Sequence, residues 1–415
     1  MALKKKPVTG MRDILPDEMV LRDYVQDVIK KTYRSFGFTP IETPCMEDIE
    51  NLSSKQGGEN EKLIFKVLKR GEKLDLENAK DEIDVVDMGL RYDLTLPLSR
   101  YYSNHANELN QPFKALQIGN VWRADRPQRG RYRQFVQCDI DIFGEASNIA
   151  EIELINATTT CLSRLSFKNF EIKINERRLL KAMAKYAGFK EENYDDVFII
   201  LDKMDKIGLD GVREDLIACE FDVAAVDKYL DLFKKIEESG DGLDYLLKTL
   251  DEEASDPINS LKEIIGAVNK IKNDDFKIVF DPTLVRGMGY YTGTIFEIAL
   301  PEFGGACGGG GRYDKMVGNF TGSDVPACGF SIGFERIILL LTESGFKIPG
   351  APKKICFMVD RKYPVEKLSD VMNEANKLRE AGETVLVVKM NKNKKFQKEQ
   401  LEASGYTEFK EFFAD

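Results

Sequence analysis

The sequence predicts an α+β protein of two or three domains, and three observations lead to that expectation. Phe113–Asp125 and Arg133–Phe143 each alternate apolar and polar residues around Pro127-Gln128-Arg129-Gly130, the pattern of two antiparallel strands joined by a turn. Arg177 to Asp274 reads mainly as amphipathic helices rich in acidic residues. Phe346–Pro352 has the composition of a linker, and the β-α-β pattern behind it marks a small separate α/β domain. A chain of 415 residues, 43% hydrophobic and 10% aromatic, can bury more than one core.

In chain order, Leu21, Tyr24, Val25, Val28, Ile29, Tyr33 and Phe36 recur at helical spacing, so a helix spans about Asp17 to Phe36 and stops at Gly37. Phe38–Pro44 reads as a short extended segment and Asn51–Glu61 as a polar, mobile loop. Asp84–Leu96 predicts a strand that turns into a helix near Leu96-Pro97. After the hairpin come a helix over Ala150–Phe167 and a strand at Glu171–Ile174. Beyond the helical stretch, strands return at Lys277–Asp281 and Thr292–Ala299. The glycine run Gly304–Gly311 lacks the GxxxxGK[ST] pattern of a phosphate loop and predicts close backbone packing against a bound ligand. Val325–Thr342 begins as a strand and becomes a helix. The last domain reads as strand Lys354–Val359, helix Val365–Ala381 and strand Thr384–Val388, then helix Phe396–Glu402 and a closing segment Glu408–Phe413.

Composition removes several classes of function. No apolar run approaches the length of a membrane span, and the basic start MALKKKPVTGMRD has no apolar stretch behind it, so a soluble, cytoplasmic protein is expected. Seven widely spaced cysteines without a CxxC fit reduced thiols. His105 is the single histidine and has no ligand pattern beside it, so catalysis works by positioning and electrostatics and not by a histidine base. The chain carries ten net negative charges, yet Lys353–Asp415 holds 13 Lys and Arg against 11 Asp and Glu. That reversal of sign hints at a separate task for the last domain.

The strongest chemical signal is Gly119–Phe135, GNVWRADRPQRGRYRQF, with Arg123, Arg126, Arg129, Arg131 and Arg133 against one aspartate. Guanidinium groups grip phosphate oxygens bidentately and keep their charge, so this hairpin can clamp a triphosphate; on charge alone, a solvated basic face stays equally open. In LRYDLTLPLSR, Asp93 and Thr95 stand two apart in an expected extended stretch, which puts both on one face and suits an ammonium group. In QCDIDI, Gln137, Asp139 and Asp141 share the face opposite Ile140 and Ile142, where they meet water or line a pocket. VRGMGYYTGTIFE (Val285–Glu297) leads to the glycine run and Arg312-Tyr313-Asp314, and ACGFSIGFERI (Ala327–Ile337) places Arg336 near a helix start.

Together these segments resemble the class II aminoacyl-tRNA synthetases, and among them the histidyl-tRNA synthetases, over nearly the whole chain. Thr9–Pro16 (TGMRDILP) is similar to that family's opening, WRADRPQRGRYRQF to its motif 2, GFERI to its motif 3 and RGMGYYTG to its RGLDYYTG loop. Phe38–Pro44 resembles motif 1, and LRYDLT with QCDIDI is similar to the eukaryotic and archaeal branch. The resemblance implies a class II fold, an antiparallel sheet flanked by helices. It divides the chain into a first part of the catalytic core (1–175), a helical insertion (176–275), a second part of the core (276–348) and an anticodon-binding-like α/β domain (353–415) that looks truncated.

The resemblance also implies roles. Arg123, Arg286 and Arg336 would form the catalytic set, with Arg123 and Arg336 on the α- and γ-phosphates of ATP and Arg126 assisting. Arg131 and Tyr132 would line the adenine end. Arg286 would contact the histidine carboxylate and the α-phosphate, while Asp93, Thr95 and Gln137 bind the α-ammonium. Asp141 and Tyr291 would meet the imidazole, beside Tyr290. Mg²⁺ would bridge phosphate oxygens, with no metal held by protein ligands. The implied partners are histidine, ATP, tRNA(His) through the last domain, and a second copy in a homodimer, with no membrane. Gly289 stands where the family has aspartate, which adds backbone freedom to that loop. The alternative is a catalytically silent paralogue that regulates ATP phosphoribosyltransferase in histidine biosynthesis and would partner its catalytic subunit.

Overall fold

The computed structural model describes residues 3–53, 59–286 and 289–414. Part of the polar loop expected over Asn51–Glu61 (54–58) and Gly287-Met288 of the RGMGYYTG segment therefore lie outside the described residues. The chain forms two compact units, one of Met1–Asp13 with Val25–Ser344 and the other of Ile14–Tyr24 with Gly345–Asp415.

Helix α1 (Pro16–Ser35) carries Asp17 and Glu18 in its first turn and Arg34 in its last, charges that complement the helix dipole. Val25, Ile29 and Tyr33, on one helical face, are fully buried. Next come β1 (Thr39–Pro40), β2 (Met46–Asp48), α2 (Ile49–Ser53), β3 (Lys66–Leu68) and β4 (Val86–Leu90). Strands β2, β4 and β3 form a small antiparallel sheet over Ile49, Leu52, Ile64, Val86, Tyr92 and Leu96. Helix α3 (Thr95–His105) leads to the long pair β5 (Phe113–Trp122) and β6 (Gln134–Phe143), then α4 (Ile149–Arg164) and β7 (Phe170–Glu176). At the end of α3, His105 is half exposed and its ring lies 4.9 Å from that of Tyr101.

The helical stretch contains α5 (Arg177–Ala187), α6 (Tyr194–Leu201), α7 (Met204–Ala218), α8 (Val223–Glu238), α9 (Gly242–Thr249) and α10 (Ser255–Ile271). After it the chain re-enters the sheet through β8 (Phe276–Phe280), β9 (Thr294–Leu300), β10 (Gly305–Arg312) and, past the short α11 (Gly318–Thr321), β11 (Ala327–Ile332); α12 (Phe334–Glu343) closes the unit. The large sheet has the order β1-β5-β6-β11-β10-β9-β7-β8. It is antiparallel from β5 to β7, but β1 pairs with β5 and β8 with β7 in parallel, so the expected antiparallel sheet is a mixed one.

The glycine run was expected as a segment packed against a ligand; it is the central strand β10, paired with β9 on one side and β11 on the other. Glycine weakens a strand by itself, but here ladders on both sides fix the backbone. A Cβ on Gly310 would fall 1.9 Å from the Gly329 carbonyl oxygen, so only glycine fits this approach. The strand ends at Arg312, whose Nε and Nη2 donate to the two Glu151 oxygens at 2.7 Å each, a bidentate pair that ties the sheet to α4.

In the other unit, β12 (Lys354–Val359) is flanked by β13 (Thr384–Lys389) and β14 (Glu408–Phe412), all parallel. Helix α13 (Leu368–Glu380) buries Val371 and Ala375 with Ile355, Phe357 and Val359. Leu401 of α14 (Lys394–Ala403), with Tyr406 and Phe409, packs against the Cys356, Met358 and Met390 cluster. Alternate residues of β12 thus serve two cores, the period-2 logic of a buried strand.

Candidate active site

A cavity of about 80 Å³ lies over the middle of the large sheet, lined among others by Asp93, Thr95, Gln137, Asp141, Tyr313 and Ser331. Strand β6 supplies Gln137, Asp139 and Asp141, which share one face as the alternation requires. The strands β10 and β11 contribute Gly309, Gly310 and Gly329, which line the cavity without side chains of their own. A Cβ on Gly329 would lie 1.9 Å from Asp141 Oδ1, and one on Gly309 2.6 Å from Arg286 Nη1. These two glycines therefore leave room for the side chains of Asp141 and Arg286.

Asp93 and Thr95 do not lie in an extended stretch as expected: α3 begins at Thr95 and Leu94 is already helical. Both side chains nevertheless line the cavity, because Asp93 Oδ1 accepts from the Leu96 N–H at 3.1 Å in the first turn. Arg123, Arg286, Tyr290 and Tyr291 complete the wall. The Arg123 Nε donates to the Tyr92 carbonyl at 2.8 Å, and Arg286 Nη1 pairs with Glu297 Oε2 at 3.1 Å.

Three buried oxygens in this cavity find no hydrogen-bond partner in the protein: Asp93 Oδ2, Gln137 Oε1 and Asp141 Oδ2. Their companions are engaged. Tyr313 donates to Asp141 Oδ1 at 2.5 Å, Ser331 to Asp139 Oδ1 at 2.5 Å, and Gln137 Nε2 to Asp139 Oδ2 at 3.2 Å. An orphaned buried acceptor is costly, so the cavity is built for a ligand rich in N–H donors. The electrostatics agree. Burial pushes Asp141 up to about 7, Asp93 adding to the effect and the Tyr313 hydrogen bond opposing it. Burial likewise raises Asp93, against the pull of the Leu96 N–H and Arg123, and raises Asp139 with Asp141 beside it. Three crowded carboxylates call for a cation.

Beside the cavity opens a larger cleft of about 700 Å³, which shares Arg123, Gln137 and Arg286 with it and adds Arg131, Tyr132 and Arg336. Burial, with Arg131 and Arg286 repelling it, holds Arg336 below the usual arginine value. Its Nη1 donates to the Ala306 carbonyl and its guanidinium lies 5.0 Å from the Phe303 ring. Clustered cations of this kind await an anion.

The arginine hairpin thus divides its labour. Arg123 and Arg131 reach the cleft, whereas Arg129 pairs with Glu343 at 2.5 Å and Arg133 donates from Nε to the Asp125 carbonyl at 3.1 Å. Arg126 is exposed and lines neither cavity nor cleft, so the expected phosphate contact is not assembled here. Sequence reasoning missed Tyr313, Ser331 and Phe303 as site residues, and Asp202 and Lys206, by which the α6–α7 junction also lines the cleft. Asp139 carried a signal, since it shares the polar face of β6 with Gln137 and Asp141. Among the described residues no group of three or more His, Cys, Asp or Glu could hold a metal, and no helix is long and apolar enough to cross a membrane. The seven cysteines are free thiols, five of them buried.

A sequence model of the family described as Histidyl-tRNA synthetase matches residues 10–337. The histidine--tRNA ligase of Leifsonia xyli is 43% identical over 423 residues, covering 99% of this chain and 95% of that protein. The crystal structure of histidyl-tRNA synthetase from Nostoc sp. PCC 7120 superposes with a TM-score of 0.78 at 28% identity, over 97% of this chain and 90% of that one. A structure titled as an ATP phosphoribosyltransferase regulatory subunit/histidyl-tRNA synthetase, from Bacillus halodurans, gives the same TM-score over the full length of both chains at 18% identity, a likeness of fold alone. The relatives are bacterial, so the expected kinship with the eukaryotic and archaeal branch is not supported.

Proposed function

The chain belongs to the histidyl-tRNA synthetase family, and on that basis we propose that the small cavity holds histidine and the arginine-lined cleft holds ATP. The enzyme is a histidine--tRNA ligase: it activates histidine with ATP to histidyl-adenylate and passes the histidyl group to tRNA(His). One observation carries the assignment of the cavity. Its orphaned oxygens, Asp93 Oδ2, Gln137 Oε1 and Asp141 Oδ2, match the N–H groups of an ammonium and an imidazole.

In this reading Asp93, Thr95 and Gln137 take the α-ammonium, and Asp141 with Tyr290 and Tyr291 takes the ring. Arg286 and Arg123, at the junction of cavity and cleft, hold the carboxylate and the α-phosphate together. A carboxylate oxygen attacks the α-phosphorus and pyrophosphate leaves; the reaction needs alignment and positive charge more than proton transfer. The terminal ribose hydroxyl of the tRNA then attacks the carbonyl carbon, its proton passes to a phosphate oxygen, and AMP departs. Arg336 holds the γ-phosphate, and Arg131 with Tyr132 the adenine end. Mg²⁺ would accompany the nucleotide on its phosphate oxygens and supply charge neutralisation. The last unit meets tRNA(His) through its lysines. Segment Phe38–Pro44, with β1 at the edge of the large sheet, joins two copies into a homodimer, which sedimentation can test. Free thiols suit a cytoplasmic location.

Histidine-dependent pyrophosphate–ATP exchange is the test. The wild type is expected to exchange with histidine, and no exchange at millimolar histidine would sink the assignment. Arg336→Ala is expected to lower exchange by about a hundredfold or more while leaving the fold intact. Retained exchange would refute the γ-phosphate role.

A further inference from the structure

Residues Thr9–Asp13 play no part in the reaction as described, yet they are tied to one wall of the nucleotide cleft. The Arg133 N–H donates to the Gly10 carbonyl at 2.8 Å, and Arg133 Nη1 to the Thr9 carbonyl at 3.4 Å. Gly10 has φ +82° in a turn, and a Cβ there would meet Arg133 Cδ at 2.8 Å and Pro127 Cγ at 2.9 Å, so the close approach of this turn to the hairpin requires glycine. Two residues on, the Arg12 guanidinium lies 4.7 Å from the centroid of the Tyr132 ring. Arg12 Nη2 also stands 3.5 Å from Glu335 Oε2. Glu335 is 6% exposed, and its other oxygen accepts the Val136 N–H of β6 at 3.2 Å. Tyr132 and Glu335 line the cleft, whereas Arg12 does not.

We propose that Arg12 is a positioning residue for the nucleotide: anchored on Glu335, it clamps the Tyr132 ring so that the ring meets the base of ATP. The proposal rests on the reading of Tyr132 as part of the adenine end. Tyr132 sits in the hairpin loop between β5 and β6, where an aromatic side chain held by the backbone alone would sample several rotamers. A cation over the ring, itself fixed by a buried carboxylate, removes that freedom before ATP arrives and so lowers the cost of binding. Lysine at position 12 would keep the charge but lose the planar face and the fork toward Glu335.

Steady-state exchange kinetics on Arg12→Ala, Arg12→Lys, Tyr132→Ala and the Arg12→Ala/Tyr132→Ala double variant test this. Arg12→Ala is expected to raise the KM for ATP roughly three- to tenfold, the range of one cation–π contact, with kcat and the KM for histidine nearly unchanged. Arg12→Lys should recover part of the loss. Tyr132→Ala should raise the KM for ATP at least as much, and the double variant should add little further. A selective ATP effect of Tyr132→Ala without one of Arg12→Ala would overturn the Arg12 proposal alone. If Tyr132→Ala leaves the KM for ATP unchanged, the adenine-end reading fails and takes the proposal with it. A fall in melting temperature without a change in the KM for ATP would reduce Arg12 to a structural role and also overturn it.

Discussion

Asp141 presents one oxygen to Tyr313 and leaves the other open to the cavity, with its carboxyl pushed up to about 7 chiefly by burial. A carboxyl raised by folding favours the fold when protonated; that contribution is complete below the ordinary carboxylate range and is lost as pH rises through about 7. The histidine-free protein should therefore lose stability as pH rises from about 4 to above 7, and Asp141→Asn should remove much of that slope in thermal melts. A ligand bearing N–H donors favours the ionised carboxyl, so binding expels a proton. Histidine affinity is expected to rise between about pH 7 and 8, where free imidazole is mostly neutral, and to rise much less in Asp141→Asn. Calorimetry in buffers of different ionisation enthalpy measures the released proton, and identical pH profiles for the two proteins would rule the linkage out. The polar face of β6 was legible because strand alternation is a property of sequence. Which arginines of the hairpin turn inward was not: Arg123 and Arg131 reach the cleft, Arg126 does not, and Arg129 and Arg133 are taken up by Glu343 and the Asp125 carbonyl.

At the scale of elements, α1, β5, β6, α4 and the β-α-β pattern of the last unit follow from periodicity, and their ends fall within a few residues of the expected ones. The glycine run escaped because its side chains do not encode it. Strand β10 has almost none to alternate, and only its two ladders make it a strand. The helix start expected near Leu96-Pro97 falls at Thr95, where the Asp93 hydrogen bond to the Leu96 N–H opens the first turn and takes Asp93 and Thr95 out of the extended stretch. The glycine requirement of β10 can be set against a glycine that the fold does not require. Gly310→Ala would drive a Cβ into the backbone of β11 and should cost about 1–3 kcal/mol or more. Gly266 lies inside α10 with nothing within 4 Å of a Cβ, and Gly266→Ala should stabilise by roughly 0.5–1 kcal/mol. Denaturant melts of the two variants should move in opposite directions; a Gly310→Ala protein as stable as wild type would mean that the β10–β11 contact yields.

For the whole molecule, Lys353–Asp415 carries a net positive charge on an otherwise acidic chain, which on the proposed reading would serve a contact with tRNA. Replacing Lys392 and Lys395 by Glu is expected to raise the KM for tRNA several-fold, to flatten its dependence on salt and to leave histidine-dependent exchange unchanged. An unchanged KM for tRNA would move the contact elsewhere. The chain forms two compact units, and the inclusion of Ile14–Tyr24 in the second has no local signature, since it depends on distant packing. The half-exposed His105 at the end of α3, alone of its kind in the chain, makes the enzyme almost transparent to imidazole spectroscopy. In a proton or nitrogen NMR spectrum of the histidine complex only two imidazoles would resonate, one at the surface and one in the cavity. The tautomer and protonation state of the bound substrate could then be read directly, with no isotope scheme needed to separate it from the protein.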